Sequence, residues 1–375
     1  MSEAVLDFQE FVSSWVSEQR SGTAHRQQRD DSDDDDLQTR LFELANAPAV
    51  AYRCQGGQRI TVRQDRTAKV HTGGIVWETA FLLALFLEQR QQRRRQQQQQ
   101  QRQQQQQQQQ QQPATPCNVG ARHVLEVGAG CGLLGMVLAA AGCNVVLTEH
   151  PIALANLRCN VEACKISSQR ARVAQLDWTK ESHLQELIAA QNARGCPRCF
   201  DTIVGTDVVF SEHLVVPLLN TIHLLSDAKT TVWLCLQERC AAAHKLLMTS
   251  IPSYFRSCAQ IQSPGAAVEE GCSEEVAAVI EALHGELECV LLKLTGRLDS
   301  KAATGAMPVA CSGRPVTATR QDQPPQSTLA TTETECQEHA AAPARGESAK
   351  RGPRDWQKDE AKVHGERVAR KKHKN

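Results

Sequence analysis

Four carboxylates in the middle of the chain sit within or just after short apolar runs. Glu126 lies in Val124-Leu125-Glu126-Val127, Glu149 closes Asn144-Val145-Val146-Leu147-Thr148, Asp177 follows Leu176, and Asp207 follows Ile203-Val204-Gly205-Thr206. A buried core rarely holds four carboxylates in this way, so they read as groups aimed at a ligand. Glu126 is followed by Gly128, Gly130 and Gly132. Those glycines let the backbone turn sharply and approach a ligand that a Cβ would exclude. A helix starting near Leu133 would point its free N–H groups at the same place.

Two cofactor classes suit this loop. Gly130-x-Gly132-x-x-Gly135 matches the dinucleotide pattern, which alone is weak. Glu126-x-Gly128-x-Gly130-x-Gly132 matches the acidic-then-glycine pattern of S-adenosylmethionine (AdoMet) sites. The carboxylate favours the second, because AdoMet carries an ammonium and a sulfonium whereas a dinucleotide brings a diphosphate that Glu126 would repel. Glu149, about 20 residues past the glycines, stands where a carboxylate can accept both ribose hydroxyls. The competing reading is a glycine turn kept for helix–sheet packing alone.

The elements that must position these groups alternate over residues 119–240. Strands are expected at about 123–127, 144–149, 172–176, 201–206 and 231–237, with helices at about 133–141, 151–164, 182–193 and 212–225 between them. This predicts an α/β domain with a parallel sheet and helices on both faces, whose ligands bind outside the carboxyl ends of the strands. A further helix is expected at about 239–250 and a closing strand at Leu287–Leu294. Ala49–Tyr52 and Ile60–Val62 suggest an N-terminal β-hairpin. Gly73-Gly74-Ile75-Val76-Trp77 leads into an apolar helix over Glu78–Glu88. The glutamine tract at 90–112 reads as an inserted surface loop that builds no core. Residues 1–20 show roughly helical apolar spacing, and 30–36 form an acidic linker.

The domain plan is therefore 1–47 as helix and linker, 48–296 as the catalytic-type domain, and 297–375 as a disordered tail with a basic end. Lys plus Arg and Asp plus Glu both number 42 in 375 residues, so the whole chain makes no case for a membrane or nucleic-acid partner. The basic end, with Arg370, Lys371, Lys372 and Lys374, is the one candidate nucleic-acid contact or nuclear-import signal. No run is long and apolar enough to span a bilayer. Scattered cysteines and the lack of a signal peptide suit a cytoplasmic location, with a nuclear one as the alternative. Cys196-Pro-Arg-Cys199 has zinc-ligand spacing without a second pair, so free thiols and no metal are expected.

Several motifs taken together resemble the seven-β-strand methyltransferases grouped as methyltransferase family 16, largely protein-lysine methyltransferases. They are Gln58–Asp65, Gly74-Ile75-Val76-Trp77-Glu78 with Leu85-Phe86-Leu87-Glu88, the glycine loop, Leu176-Asp177-Trp178, and Gly205-Thr206-Asp207-Val208-Val209-Phe210. The resemblance covers about 48–296 and implies a Rossmann-like, class I AdoMet fold with a seven-stranded, mostly parallel sheet. It implies that Gly128, Ala129 and Gly130 line the methionine end of AdoMet, that Glu149 holds the ribose, that Asp177 and Trp178 flank the adenine, and that Trp77 closes over the cofactor. Thr206 and Asp207 would lie beside the transferred methyl. Glu149 replaces the Asp of many members. Phe210 replaces the Tyr of an Asp-x-x-Tyr motif, keeping an aromatic wall and losing a hydroxyl.

The expected reaction is in-line methyl transfer to the lysine ε-amine of a non-histone protein, with Asp207 orienting the nitrogen and Phe210 packing against the methylammonium product. Packing in the core is the other reading of Trp77 and Trp178, and a helix N-cap is the other reading of Asp207. The alternative functions are a protein-arginine or small-molecule methyltransferase, a dinucleotide oxidoreductase, and a catalytically silent AdoMet-fold module.

Overall fold

The computed structural model describes residues 5–7, 43–65, 71–108, 121–261, 264–274, 276–277, 280–281 and 288–299. Strands β1 (Val5–Asp7), β2 (Ala49–Arg53) and β3 (Arg59–Arg63) form a small sheet in that order, with β2 and β3 as an antiparallel hairpin. Helix α1 (Glu78–Gln108) leads to the main sheet. There the chain runs β4 (His123–Val127), α2 (Leu133–Ala140), β5 (Asn144–Glu149), α3 (Leu154–Ala163), β6 (Ala171–Gln175), α4 (Glu181–Ala193), β7 (Thr202–Thr206), α5 (Glu212–Leu224) and β8 (Thr231–Gln237). It ends with α6 (Ala241–Ser250), β9 (Phe255–Gln260), α7 (Pro264–Glu269) and β10 (Cys289–Arg297).

The seven-stranded sheet has the order β6-β5-β4-β7-β8-β10-β9. Strands β4 to β8 pair in parallel, and β10 runs antiparallel to both β8 and β9. The parallel strands are near-continuous apolar runs because helices cover both faces. Val124, Val145, Leu147 and Trp233 pack with α1, α2 and α3 on one face. Leu125, Val127, Val146 and Leu234 pack with α4, α5 and α6 on the other. The fold is thus the Rossmann-like, mostly parallel seven-stranded arrangement expected above, with the N-terminal hairpin beside it.

Three local expectations need correction. Val5–Asp7 is a strand that pairs parallel with β2, with Asp7 3.6 and 3.8 Å from the Arg53 and Arg59 guanidinium groups, so it does not belong to a helix over 1–20. The rest of that helix lies outside the described residues, as do the acidic run and everything beyond residue 299. The glutamine tract is not a loop through residue 108. It continues α1, whose start is nucleated by buried Phe81, Leu82, Leu83 and Phe86, and glutamine ranks with the good helix formers. Strand β9 is an additional, unexpected edge strand. Its only fully buried side chain is Phe255, so it carries little of the apolar signal of a strand.

Candidate active site

The chain runs outward from β4 through β5 to β6, then returns to β7 on the far side of β4. Connections from β4 and β7 therefore leave in opposite directions, which opens a crevice at the carboxyl ends of these strands. The glycine loop and Asp207 face each other across it.

The loop after β4 needs its glycines. Gly128 has φ +64°, and a Cβ there would lie 2.8 Å from Val208 Cγ1 and 3.5 Å from the Trp178 ring. Gly130 has φ +54°, and its N–H donates to Glu149 Oε2 at 2.6 Å. The other oxygen, Oε1, accepts from His150 N–H at 2.8 Å. Burial raises the Glu149 carboxyl above its usual range, and these two N–H bonds offset only part of that. Ala129 lies between the glycines and donates to Thr148 O at 2.9 Å, which extends the β4–β5 pairing into the loop.

Asp177 and Trp178 follow β6 and reach the same crevice. Asp177 Oδ1 accepts from Thr179 N–H and Oγ1–H at 2.9 and 2.7 Å, and Oδ2 lies 3.6 Å from His150 Nε2. Burial pushes this carboxyl up, but the Thr179 bonds, with His150 and Lys180 nearby, outweigh it and hold Asp177 below its usual range. The Trp178 indole N–H is buried and has no hydrogen-bond partner among the described residues. The segment before α1 arches over the loop, with Cys131 Sγ–H donating to Gly73 O at 3.8 Å. Trp77 at its end is half-buried and donates through Nε1 to Thr72 O at 3.3 Å.

Glu126 is set apart from this group. It is 2 % exposed and faces the start of α2, where a Cβ on Gly135 would fall 2.3 Å from its Oε2. Burial, with the Glu149 charge adding to it and the Gly135 N–H opposing, raises its pKa to about 8. Buried beneath the start of α2, this carboxyl is set back from the crevice surface.

Thr206, half-buried, ends β7, and Asp207 follows in the left-handed region with φ +49°. Aspartate tolerates that conformation better than most residues, yet it remains strained and typical of functional positions. Both carboxylate oxygens are engaged. Oδ1 accepts from Gln237 N–H at 2.7 Å, and Oδ2 pairs with Arg239 Nη2 at 2.8 Å. The N-cap of α5 is Ser211, so Asp207 does not cap that helix. Phe210, three residues on, is 40 % exposed and presents its ring to solvent.

Arg239 is the residue that the sequence reading missed. Its guanidinium stacks on the Trp77 ring, 4.4 Å from the centroid, and lies 3.4 Å from Glu78 as well as on Asp207. It thereby ties together the start of α1, the end of β7 and the loop after β8. Burial works against its charge and the Asp207 carboxylate more than restores it, so its pKa is raised. The signal was available: Glu238 and Arg239 follow the fifth parallel strand, where carboxyl-end residues face the crevice.

The structure therefore gathers Gly128, Ala129, Gly130, Glu149, Asp177 and Trp178 around the ends of β4, β5 and β6. Trp77 and Asp207 meet at the β7 side through Arg239, with Thr206 next to Asp207 at the end of β7. Comparison with known proteins identifies the family. Mouse EEF1A lysine methyltransferase 3 is 24 % identical over 217 residues, which cover 58 % of this chain and 78 % of that one. The zebrafish (Danio rerio) protein N-lysine methyltransferase METTL21A is 29 % identical over 183 residues, covering 48 % and 67 %. Mouse protein-lysine methyltransferase METTL21E is 25 % identical over 224 residues, covering 56 % and 76 %. The family described as lysine methyltransferase matches residues 55–253, which include every strand from β4 to β8 and all the crevice residues above, and over half the chain is thereby accounted for: the protein belongs to the lysine methyltransferase family.

Proposed function

We propose that the protein transfers a methyl group from AdoMet to a lysine ε-amine of another protein, with both ligands meeting in the crevice between β4 and β7. The observation that carries the reading is the loop after β4. It is a turn held by left-handed glycines, with no room for a Cβ at Gly128, beside an unpartnered indole N–H and a carboxylate with lone pairs left over. Those groups fit AdoMet chemically. The Glu149 oxygens each hold one N–H and can accept hydroxyl donors as well, and the Trp178 N–H can donate to a ring nitrogen. Gly128, Ala129 and Gly130 would hold the methionine end, Asp177 would stand beside the adenine, and Trp77 would close over the cofactor.

AdoMet when bound supplies a methyl on a sulfonium, a leaving group that needs no activation by the protein. The chain's own task is to position and to desolvate. A lysine amine must be neutral to attack, and its ordinary pKa of about 10.4 falls when it is buried. Thr206 and Asp207 wall the β7 side, and the exposed Phe210 ring offers a cation–π surface to an arriving or departing amine.

The test has two parts. Calorimetric titration with AdoMet should show binding by the wild type and none by the Glu149→Ala, Gly130→Arg double variant. Incubation with methyl-labelled AdoMet and cell lysate, then acid hydrolysis, should place the label on methyl-lysine. Label on methyl-arginine, or a folded wild type that does not bind AdoMet, would refute the proposal.

A further inference from the structure

At the amino ends of the parallel strands, on the side of the sheet away from the crevice, lies a cleft of about 540 Å³. Arg122 precedes β4 and Arg170 precedes β6, and both line it. Arg94 and Arg95 line it from α1, together with glutamines of the tract. The sheet side holds two of these guanidinium groups from behind: Arg122 Nη1 donates to Thr202 Oγ1 at 3.2 Å, and Arg170 Nη1 donates to Gly142 O. Gly142 has φ +89°, which the turn into β5 requires of a glycine, and the Arg95 guanidinium lies against it.

What is missing is counter-charge. Among the described residues, none of Arg94, Arg95, Arg122 and Arg170 lies in an ion pair. Glu270, the acid whose field reaches Arg94, is already paired with Arg90 at 2.8 Å and with Lys293. Asp201 accepts from His123 N–H at 2.8 Å. Burial and the neighbouring Arg122 charge both push the Arg94 guanidinium down from its usual range, and the already paired Glu270 offsets this only in part.

We propose that this cleft is a binding site for a compact anion carrying several clustered phosphates, separate from the methyl-transfer crevice. Each guanidinium presents a planar fork of N–H donors matched to phosphate oxygens, and the glutamine amides add neutral donors. A phosphate group brings about −1.5 to −2 charge at neutral pH, so two or three neutralise the four arginines, whereas an acidic peptide brings one charge per carboxylate. Nucleic acid fits less well, because the cleft lining includes no aromatic ring on which a base could stack. The volume falls in the range of small-molecule sites.

The test is calorimetric titration of the full chain with sodium tripolyphosphate at low and at physiological salt. Binding that weakens as salt rises is expected, with affinity at least tenfold lower in Arg94→Gln/Arg95→Gln, which only extends the glutamine run of the helix. Arg122→Gln, on the sheet side, should lose affinity independently of the helix. AdoMet binding should be unchanged in all of them, which shows that they fold. Vesicles of phosphatidylcholine containing phosphatidylinositol bisphosphate form a second arm. Competition by the vesicles assigns the phosphates to a lipid headgroup, and failure to compete assigns them to a soluble molecule. The proposal is overturned if the wild type does not bind tripolyphosphate or if both variants bind it unchanged. It is also overturned if hexa-aspartate or a single-stranded oligonucleotide binds more tightly than tripolyphosphate.

Discussion

Replacing Arg239 with methionine should destabilise the protein by about 3–5 kcal/mol, the usual cost of leaving one buried partner of an ion pair uncompensated. The Asp207 side chain is 3 % exposed and Arg239 27 %, at a separation of 2.8 Å. With an effective dielectric constant near 20, the gross attraction at that distance is about 6 kcal/mol, and desolvation of both groups offsets part of it. Glu78, 3.4 Å away, loses the same cation. Urea unfolding of the wild type, Arg239→Met, Asp207→Asn and the double variant forms a cycle. The double variant should be more stable than Arg239→Met by about 1 kcal/mol or more, since the carboxylate that needed the cation has become a neutral amide. A loss below about 1 kcal/mol in Arg239→Met would show a solvent-screened pair. Additive single losses would show that the two residues act separately. Either result would refute the hub described here.

Three other changes test separate parts of the site. Glu126 titrates near pH 8 in the folded protein and near 4.3 when unfolded, so its folded-state proton stabilises the protein fully at low pH, and that contribution is lost as pH rises through this window. Urea unfolding of the wild type should lose up to about 1.4 kcal/mol per pH unit between pH 5.5 and 7.5 relative to Glu126→Gln, and parallel pH profiles would contradict the assignment. Gly128→Ala combines a left-handed backbone with a Cβ 2.8 Å from Val208, so it should cost about 2–4 kcal/mol and abolish AdoMet binding in calorimetry; normal binding would show that the loop yields. Trp233 is 1 % exposed, packs edge-on against Phe86 at 5.0 Å and lies under the Arg90 guanidinium. Trp233→Ala should therefore cost about 3–5 kcal/mol in the same assay, and a loss under about 1 kcal/mol would place the ring outside the core.

What could be read from the sequence is what depends on a segment's own residues. The inner parallel strands β4, β5, β7 and β8 are covered on both faces, so each is a near-continuous apolar run, and their alternation with helices is visible without any long-range information. Strand β9 is an edge with one buried side chain, and its pairing with β10 depends on residues more than thirty positions away. The continuation of α1 through the glutamines depends on an apolar start that anchors one end, and composition alone describes only the tract.

The site divides along the same line. Gly128, Gly130 and Glu149 were legible because a turn and the carboxylate that meets it lie within about 20 residues, a spacing the fold imposes. Asp207 was legible by position and misread in its surroundings. Its carboxylate is neither free nor a helix cap, because it is taken by a backbone N–H 30 residues on and by a guanidinium 32 residues on. Arg239 is 161 residues from Glu78, and only closure of the sheet brings α1 to the end of β8. A cation in that place alters the expected chemistry of the β7 wall. The Asp207 charge that the sequence reading aims at the substrate amine is already balanced within the protein, so under the proposed function the β7 side would hold a neutral amine by geometry and would not attract an ammonium.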